Sequence, residues 1–307
     1  MLVAFLGNDR WSVPSLELLA ASPHQVVLVA TRVPRPAGRG GTLRPTPVAE
    51  AARRLELPLV EVETVKEGAG LEALEAAGPD VLAVVAYGEI LPSRVLELPR
   101  VAPVNVHFSL LPALRGADPV RRAILEGLEV TGVTTIRMDE GMDTGPILLQ
   151  REEPIAAGED AGSLGDRLAI LGGRLLVETL DGLEAGTLVA RSQDHDRATT
   201  GPKLRPEEEW IDWGEDAAAV IRRVRALAPD PGARTRFRGR ILKVLRAGEV
   251  DGSGEPGVLL DLVAGHPVVA AGSGAVVLEQ VTPEGRKSMS GDDFARGFRL
   301  QPGERLG

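Results

Sequence analysis

Residues 2–30 read LVAFLGNDRWSVPSLELLAASPHQVVLVA, and this stretch decides the fold class. Two short apolar runs, Leu2 to Leu6 and Val26 to Ala30, enclose a helix-like segment from Val13 to Ala21. A strand, a helix and a second apolar strand are typical of a βαβ unit, whose parallel strands are buried on both faces. The sequence therefore predicts an α/β domain.

The same alternation continues over the first half of the chain. Further strands are predicted at Val81–Ala86, Val101–Val106, Thr131–Met138 and Ile147–Glu152, and helices at Thr46–Leu57 and Ser163–Leu183. We predict a Rossmann-like, mostly parallel sheet over residues 1–188. Only Gly7 follows the first strand where a dinucleotide-binding fingerprint needs three glycines, so an NAD-binding site is not favoured.

The apolar pattern fades between Gly186 and Pro206, and we predict an interdomain linker at residues 189–206. Beyond it, a helix is predicted over Asp216–Leu227. Brief alternating segments separated by glycine-containing turns follow, from Thr235 to Val281. This pattern predicts a small, OB-like β-barrel domain over residues 207–307.

Composition excludes several kinds of chemistry. The 307 residues include no cysteine, so disulfides, thiolate metal sites and thiol nucleophiles are excluded. The four histidines lack metal-ligand spacing, so we expect no metal. The first residues carry no basic region and their apolar run ends at Gly7, so we expect no targeting segment, no membrane association and a cytoplasmic protein.

The net charge of −9 argues against indiscriminate binding to nucleic acid, but two stretches are basic. Residues 32–54 carry six arginines against one glutamate, and residues 217–248 carry eight arginines and one lysine against one aspartate. Within the second stretch four arginines, two residues apart from Arg234 to Arg240, would share one face of a strand. Either these stretches bind a polyanion at a defined place, or they are solvated surface and a charge-protected strand edge.

The stretch Asn105-Val-His-Phe-Ser-Leu-Leu-Pro-Ala-Leu-Arg-Gly116 carries the candidate chemistry. Asn105 and His107 lie two residues apart at the end of a predicted strand, so an amide and an imidazole would project to the same side. Asp143 lies in the predicted turn Gly141–Gly145. Taken separately, the histidine could be structural and the aspartate a turn residue; together the three could act on a carbonyl.

Two hydrolase interpretations fit poorly. An aspartic protease would need two Asp-Thr-Gly turns, and the sequence has one, at Asp143. Ser109 lies near His107, but no G-x-S-x-G motif is present, so a serine nucleophile is not favoured.

Residues 105–145 resemble the folate-dependent formyltransferases. The shared pattern consists of Asn105, His107, Ser109-Leu110-Leu111-Pro112, Arg115-Gly116, Pro119, Ala123-Ile124, Gly127, Thr131-Gly132-Val133-Thr134, Met138 and Asp143-Thr144-Gly145. The resemblance implies that Asn105, His107 and Asp143 are catalytic, and that the loop Ser109, Leu110, Leu111 and Pro112 contacts the folate. The donor would be 10-formyltetrahydrofolate, with no metal.

Outside this core, the chain resembles the members of the family that formylate methionyl initiator tRNA for translation initiation. The similar segments are Val13–Leu16, Arg35–Gly40, Pro202–Leu204, Ile211–Trp213 and Gly285–Ser290. The resemblance implies a monomer that binds tRNA through its insertion loop and its second domain. The arginines expected to contact tRNA are Arg35, Arg39, Arg44, Arg234, Arg236 and Arg238.

The sequence departs from the family at two places. Asn8-Asp9-Arg10-Trp11 stands where Thr-Pro-Asp-Phe is usual, and Gly41-Thr42 stands where lysines are usual. Three other functions stay open: formylation of a nucleotide-linked amino sugar, hydrolysis of 10-formyltetrahydrofolate, and tRNA binding without catalysis.

Overall fold

The computed structural model describes residues 1–37 and 42–307. The chain divides into two compact units. The first contains Met1–Pro119, Val130–Pro154 and Gly165–Pro202, and the second contains Val120–Glu129, Ile155–Leu164 and Lys203–Gly307.

Nine strands lie in the described residues of the first unit. In chain order they are β1 (Leu2–Gly7), β2 (Gln25–Arg32), β3 (Arg35–Ala37), β4 (Thr42–Arg44), β5 (Leu59–Val62), β6 (Val81–Val85), β7 (Ala102–His107), β8 (Val130–Arg137) and β9 (Ile147–Pro154). Seven form one sheet in the order β5-β2-β1-β6-β7-β8-β9. The first five of these are parallel to one another, and the pairings β7–β8 and β8–β9 are antiparallel, which confirms the predicted mostly parallel sheet. Strands β3 and β4 form a separate hairpin.

Six α-helices lie between or after these strands in the described residues. They are α1 (Val13–Ala20), α2 (Pro47–Arg54), α3 (Gly68–Ala77), α4 (Ser93–Leu96), α5 (Pro119–Leu125) and α6 (Ala161–Glu184). Local signals set their ends: the Thr46 side chain accepts from Ala49 N at 3.0 Å to cap α2, and α3 stops at Gly78 with a φ of 51°.

The order of the strands determines where a ligand can bind. From β1 the chain builds outward through β2 to β5, and it then crosses back to place β6 on the other side of β1. All five residues of β6 are buried, as expected for a strand covered on both faces. In open α/β sheets ligands bind at the carboxyl ends of the strands beside such a reversal, which is the edge where β7 ends at His107.

Over residues 203–307 the second unit is an antiparallel sheet with two α-helices, and the unit also includes most of α5 and the start of α6. The strands and α-helices of residues 203–307 are α7 (Ala217–Leu227), β10 (Ala233–Phe237), β11 (Arg240–Val250), β12 (Leu259–Val263), β13 (His266–Ala270), β14 (Ala275–Pro283), β15 (Met289–Ser290) and α8 (Gly291–Phe298). The strand order is β10-β11-β14-β13-β12, and β15 pairs with β14.

The last residues of the chain join the two edges of this sheet. Gly307 N donates to Arg236 O in β10 at 2.9 Å, and Leu306 N donates to Gly257 O just before β12 at 2.7 Å. Leu306 is 2% exposed and joins an apolar core that includes Val220 and Phe294. The sheet therefore closes on itself, as predicted for a small barrel.

One detail of the barrel differs from the sequence prediction. β10 ends at Phe237, and Arg238 and Gly239 form the turn to β11 with φ values of 49° and 74°. Two consecutive positive φ values suit the tight hairpin turn that an X-Gly pair favours. Only Arg234 and Arg236 therefore share a strand face, and the expected row of four arginines is not formed.

Within residues 1–37 and 42–307, no helix combines the length and apolar character needed to cross a membrane. Over the same residues no group of three or more histidine, aspartate and glutamate side chains could hold a metal ion.

Candidate active site

The three candidate catalytic side chains meet at the end of β7. Asn105 and His107 project from β7 to the same side, as the two-residue period of a strand requires. Asn105 Nδ2 donates to Asp143 Oδ1 at 3.3 Å, and His107 Nδ1 lies 3.6 Å from Asp143 Oδ2. An amide, an imidazole and a carboxylate thus share one small volume.

Hydrogen bonding fixes the tautomer of His107. Its Nε2 lies 3.0 Å from the carbonyl oxygen of Leu114. Because a carbonyl only accepts, Nε2 carries a proton and Nδ1 faces the carboxylate. The His107 side chain is 6% exposed and that of Asp143 16% exposed, so a substrate would reach the pair from the aspartate side.

The turn that carries Asp143 is tightly built. Asp143 has a φ of 55°, and its Oδ2 accepts from Gly116 N at 2.8 Å. Thr144 Oγ1 donates to Asp139 Oδ1 at 2.6 Å. A Cβ on Gly145 would lie 1.8 Å from Arg137 O, so only glycine fits there. This turn holds the carboxylate against the loop that follows β7.

Residues 191–201, which we call the clamp, bind both loops of the site. Arg191 and Ile147 exchange two backbone hydrogen bonds, of 2.7 and 2.8 Å, just after the Asp143 turn. On the other side, Thr199 Oγ1 accepts from Leu114 N at 2.9 Å, and Thr199 O accepts from Arg115 N at 2.9 Å. The clamp therefore fixes the loop whose Leu114 carbonyl orients His107.

Gln193, in the clamp, is a site residue that the sequence analysis missed. Its Nε2 donates to Asp143 O and Gly145 O, each at 2.7 Å. Its Oε1 accepts from Arg115 Nε at 3.1 Å and from Nη2 at 2.7 Å. The surrounding sequence is polar and without periodicity, so the single sequence offers no signal for this role.

The predicted folate loop divides into two parts. Ser109 is 1% exposed and its hydroxyl donates to Ala113 O at 2.6 Å, so it shapes the loop. Leu110, Leu111 and Pro112 line a cavity of about 610 Å³. Thr134 Oγ1 holds the loop by accepting from Leu111 N at 3.1 Å.

This cavity has a mixed wall. Its other lining residues include the charged side chains of Glu152, Arg191, Asp194 and Arg197. Its size lies in the range of small-molecule sites. Asn105, His107 and Asp143 are not among the residues that line it; Gln193 lines the cavity and also contacts the Asp143 turn.

The unusual Asn8 joins three strand ends of the first unit. Its Oδ1 accepts from Thr31 Oγ1 at 2.9 Å and from Arg32 N at 2.8 Å, and its Nδ2 donates to Tyr87 O. Burial, followed by the nearby charge of Glu89, raises the pKa of Tyr87. Through its three hydrogen bonds, Asn8 holds the ends of β1, β2 and β6 together at the carboxyl edge of the sheet.

Trp11, in the same departure from the family as Asn8, packs against α6. Its Nε1 donates to Asp166 Oδ1 at 2.9 Å, and its ring meets Phe108 edge-on with centroids 6.4 Å apart. A Cβ on Gly165 would lie 2.1 Å from the indole, so the large side chain fits because residue 165 is glycine.

Two of the predicted tRNA contacts lie opposite each other in the β3–β4 hairpin. Arg35 pairs with Arg44 in the strand register, and both are exposed. Arg35 Nη2 lies 3.6 Å from a carboxylate oxygen of Glu63. Both arginines line a cavity of about 480 Å³ with Asn8 and Arg32. The third predicted contact of this loop, Arg39, lies outside the described residues.

The predicted contacts of the second unit are already engaged within that unit. Arg234 pairs with Glu209 at 2.8 Å, and the Arg236 guanidinium lies 5.2 Å from the centroid of the Trp210 ring. Arg238 donates to Glu304 Oε1 at 2.6 and 2.9 Å and to Phe298 O at 3.1 Å. The Arg238 side chain is 50% exposed and that of Arg234 is 31% exposed, so the charge of Arg238 is the more accessible of the two to a ligand.

Comparison with known proteins identifies relatives of the whole chain. Residues 1–180 match the family described as formyl transferase, and residues 203–299 match the formyl transferase C-terminal domain. Methionyl-tRNA formyltransferase of Solibacter usitatus is 43% identical, covering 100% of this chain and 99% of that protein. The methionyl-tRNA formyltransferase of Thermus thermophilus is 44% identical, with the same coverage of 100% and 99%.

A solved structure with the same fold is an N-formyltransferase from Helicobacter canadensis in complex with folinic acid and dTDP-3-aminofucose. It superimposes with a TM-score of 0.66 over 91% of this chain and 99% of that chain, at 16% identity. At that identity the likeness concerns the fold alone.

Proposed function

The chain belongs to the formyl transferase family, and we propose that it transfers a formyl group from 10-formyltetrahydrofolate to the α-amino group of methionine on initiator tRNA. The observation that carries the chemistry is the cluster at the end of β7. There the Asn105 amide lies 3.3 Å and the His107 imidazole 3.6 Å from the Asp143 carboxylate.

The donor is a folate co-substrate. The cavity of about 610 Å³ beside Leu110, Leu111 and Pro112 has the size that such a ligand needs, and its wall combines these apolar residues with polar and charged ones. We propose that this loop contacts the folate, and that Ser109 holds the loop in shape through its bond to Ala113 O.

Negative charge develops on the formyl oxygen when the amine attacks the formyl carbon. One N–H of Asn105 is engaged by Asp143, and the other is free to donate to that oxygen. We assign a second imidazole proton of His107 to Nδ1, which at 3.6 Å is not tied to Asp143 by a direct hydrogen bond. Preorganised donors of this kind each contribute about 10²–10³ in rate.

Asp143 takes the proton that the amine must lose. A free α-amine has a pKa near roughly 8, so part of it is neutral at pH 7 and the larger task is deprotonation after attack. The Asp143 carboxylate is more exposed than the His107 imidazole, and its hydrogen bonds with Asn105 Nδ2 and Gly116 N fix its direction. We propose that it accepts the proton directly or through one water. When the tetrahedral intermediate collapses, the bond between the formyl carbon and N10 of the folate breaks, N10 takes up a proton, and tetrahydrofolate leaves.

The acceptor follows from the extent of the resemblance. Both named relatives match the chain from end to end, including the second unit. Like charges directly opposite in a hairpin are unfavourable unless an anion lies between them, so Arg35 and Arg44 are suited to a phosphate of the tRNA backbone. We propose that Arg39, Arg234, Arg236 and Arg238 add contacts to the tRNA.

The amino-sugar alternative rests on a neighbour that is 16% identical, which speaks only for the fold. A hydrolase of the same donor would release formate without an acceptor. We further propose that the enzyme is cytoplasmic, since its charged tRNA acceptor is made in that compartment. We also propose that it is a monomer, as the family resemblance implies, and sedimentation at working concentration tests this.

The deciding experiment measures formyl transfer from 10-formyltetrahydrofolate to charged initiator tRNA. Methionyl elongator tRNA and an amino-sugar nucleotide are parallel acceptors, and formate release without acceptor is followed in the same assay. Preferential transfer to initiator tRNA is the expected result. Transfer to the sugar alone, or formate release alone, would overturn the proposed acceptor.

A further inference from the structure

Gln193 makes its hydrogen bonds on both sides of the amide, and its partners fix which side is which. The Arg115 guanidinium only donates and the carbonyls of Asp143 and Gly145 only accept. Oε1 must therefore face the guanidinium and Nε2 the two carbonyls. With a residue exposure of 6%, this amide is buried.

The two carbonyls that Gln193 holds belong to the turn that aims the candidate base. Asp143 adopts a φ of 55°, a region in which a residue other than glycine persists only when its surroundings determine it. Gln193 Nε2 donates to the backbone carbonyls of Asp143 and Gly145, while the Asp143 side chain accepts from Gly116 N on the other side of the turn.

Arg115 links these contacts of Gln193 to the loop of His107. Its guanidinium orients Gln193, and its backbone N–H and carbonyl bond to Thr199 O and Gly201 N of the clamp. The clamp therefore holds both the loop after β7 and the turn of Asp143.

We propose that Gln193 is a positioning residue for the formyl transfer. It does not touch the reacting atoms; through the Asp143 backbone it sets where the carboxylate stands relative to Asn105, His107 and the attacking amine. This inference rests on the proposed function, since it assigns Gln193 a part in the same site.

A double-mutant cycle separates positioning from general support of the fold. Gln193→Ala should lower kcat by about 10- to 100-fold, because a displacement of about 1 Å at a reacting group costs that much. KM for tRNA should stay within about twofold, because Gln193 is not among the residues assigned to tRNA. Gln193 does line the proposed folate cavity, so KM for folate does not serve as a control. In an Asp143→Asn background the same substitution should lower kcat by no more than about twofold.

Gln193→Glu covers the case in which the alanine variant does not fold. It keeps the size of the side chain and the acceptor for Arg115, but it turns a carboxylate oxygen towards the carbonyls of Asp143 and Gly145. We expect a loss of kcat at least as large as for alanine at neutral pH. Gln25→Ala, at an exposed glutamine of β2 in the same unit, is the matched control and should leave kcat unchanged.

A second readout does not depend on turnover. Gly116 N–H is protected by Asp143 Oδ2, so its hydrogen exchange, measured by NMR, reports whether the carboxylate is in place. Exchange should accelerate in Gln193→Ala and not in Gln25→Ala. If the wild-type chain formylates no acceptor, the proposed function fails while this measurement still tests the positioning. Unchanged Gly116 exchange, or equal losses of kcat in both backgrounds, would overturn the inference.

Discussion

The Asp143 carboxylate of the first unit and the Arg238 guanidinium at the β10–β11 turn of the second unit differ in how firmly the fold holds their charges. Asp143 is 16% exposed, and its carboxylate meets Asn105 and Gly116 N at hydrogen-bonding distance. The Arg238 side chain is 50% exposed, and it stands at a turn. A small displacement changes the first site's chemistry, whereas an exposed arginine keeps its charge wherever its side chain moves. Substitutions should therefore be costly and coupled in the first region, and mild and additive in the second.

The largest effect is expected for Asp143→Asn. An amide keeps the size of the side chain but cannot accept the amine proton, so kcat should fall by about 10²- to 10⁴-fold. Affinity for tRNA should stay within about twofold, because the change does not touch the arginines. Single-turnover formylation and fluorescence anisotropy with labelled tRNA measure the two quantities. Turnover near that of the wild type would remove Asp143 from the chemistry.

Glu208→Gln tests a held charge outside the site. Hydrogen bonds from Arg122 lower the pKa of Glu208 to about 2, below its ordinary value. Because the folded pKa is depressed, the stabilisation is present at neutral pH and is lost as the pH falls from about 4.5 towards 2. The variant should lose about 1–3 kcal/mol of unfolding free energy at pH 7 and show a flatter acid profile.

Urea unfolding at neutral and acid pH measures this change, with formylation at saturating substrates as the control. An acid profile as steep as that of the wild type would show that Glu208 is not the group responsible. Normal turnover in the variant would sharpen the comparison, since a held charge would then matter for stability without serving the chemistry.

Arg35→Ala and Arg44→Ala should each weaken tRNA binding by about five- to tenfold. Each should also lower the slope of log affinity against log salt by about 1, because each would remove one of the proposed phosphate contacts. kcat at saturating tRNA should not change. Salt titrations by anisotropy measure the slope, and a slope equal to that of the wild type would exclude the hairpin from the interface.

The smallest effect is expected for Arg238→Ala. Glu304 and the Phe298 carbonyl already engage this guanidinium, so tRNA affinity should fall by only about twofold and stability by less than about 1 kcal/mol. Glu304→Gln is the companion variant. By releasing Arg238, Glu304→Gln should raise tRNA affinity slightly. A loss of affinity in Arg238→Ala as large as that in Arg44→Ala would show that the pairing does not restrain Arg238.

Local rules predicted the parts of the molecule in which one strand or turn is sufficient. The apolar runs of β1, β6 and β7 predicted the parallel sheet, and the period of a strand placed Asn105 beside His107. The approach of Asp143 was suggested by family resemblance rather than by geometry, since a turn between β8 and β9 reaches β7 only through the sheet.

What the sequence could not predict depends on long-range pairing or on one dihedral angle. The β3–β4 hairpin, α3 and α8 were not predicted, because each segment is short. Arg238 was expected on a strand, and the following glycine instead allows a turn. Gln193 contacts a turn 50 residues away in the chain. No local pattern records such a contact.

The clamp has a consequence for dissecting the enzyme into fragments. A recombinant piece that ended at residue 188 would keep Asn105, His107 and Asp143, yet it would lack Gln193 and Thr199 and the two hydrogen bonds to Ile147. Such a piece would carry every residue of the family motif and still be a poor reagent for ligand screening or for grafting onto a new acceptor-binding domain. A fusion joint placed after Pro202 keeps the clamp with the loops it holds.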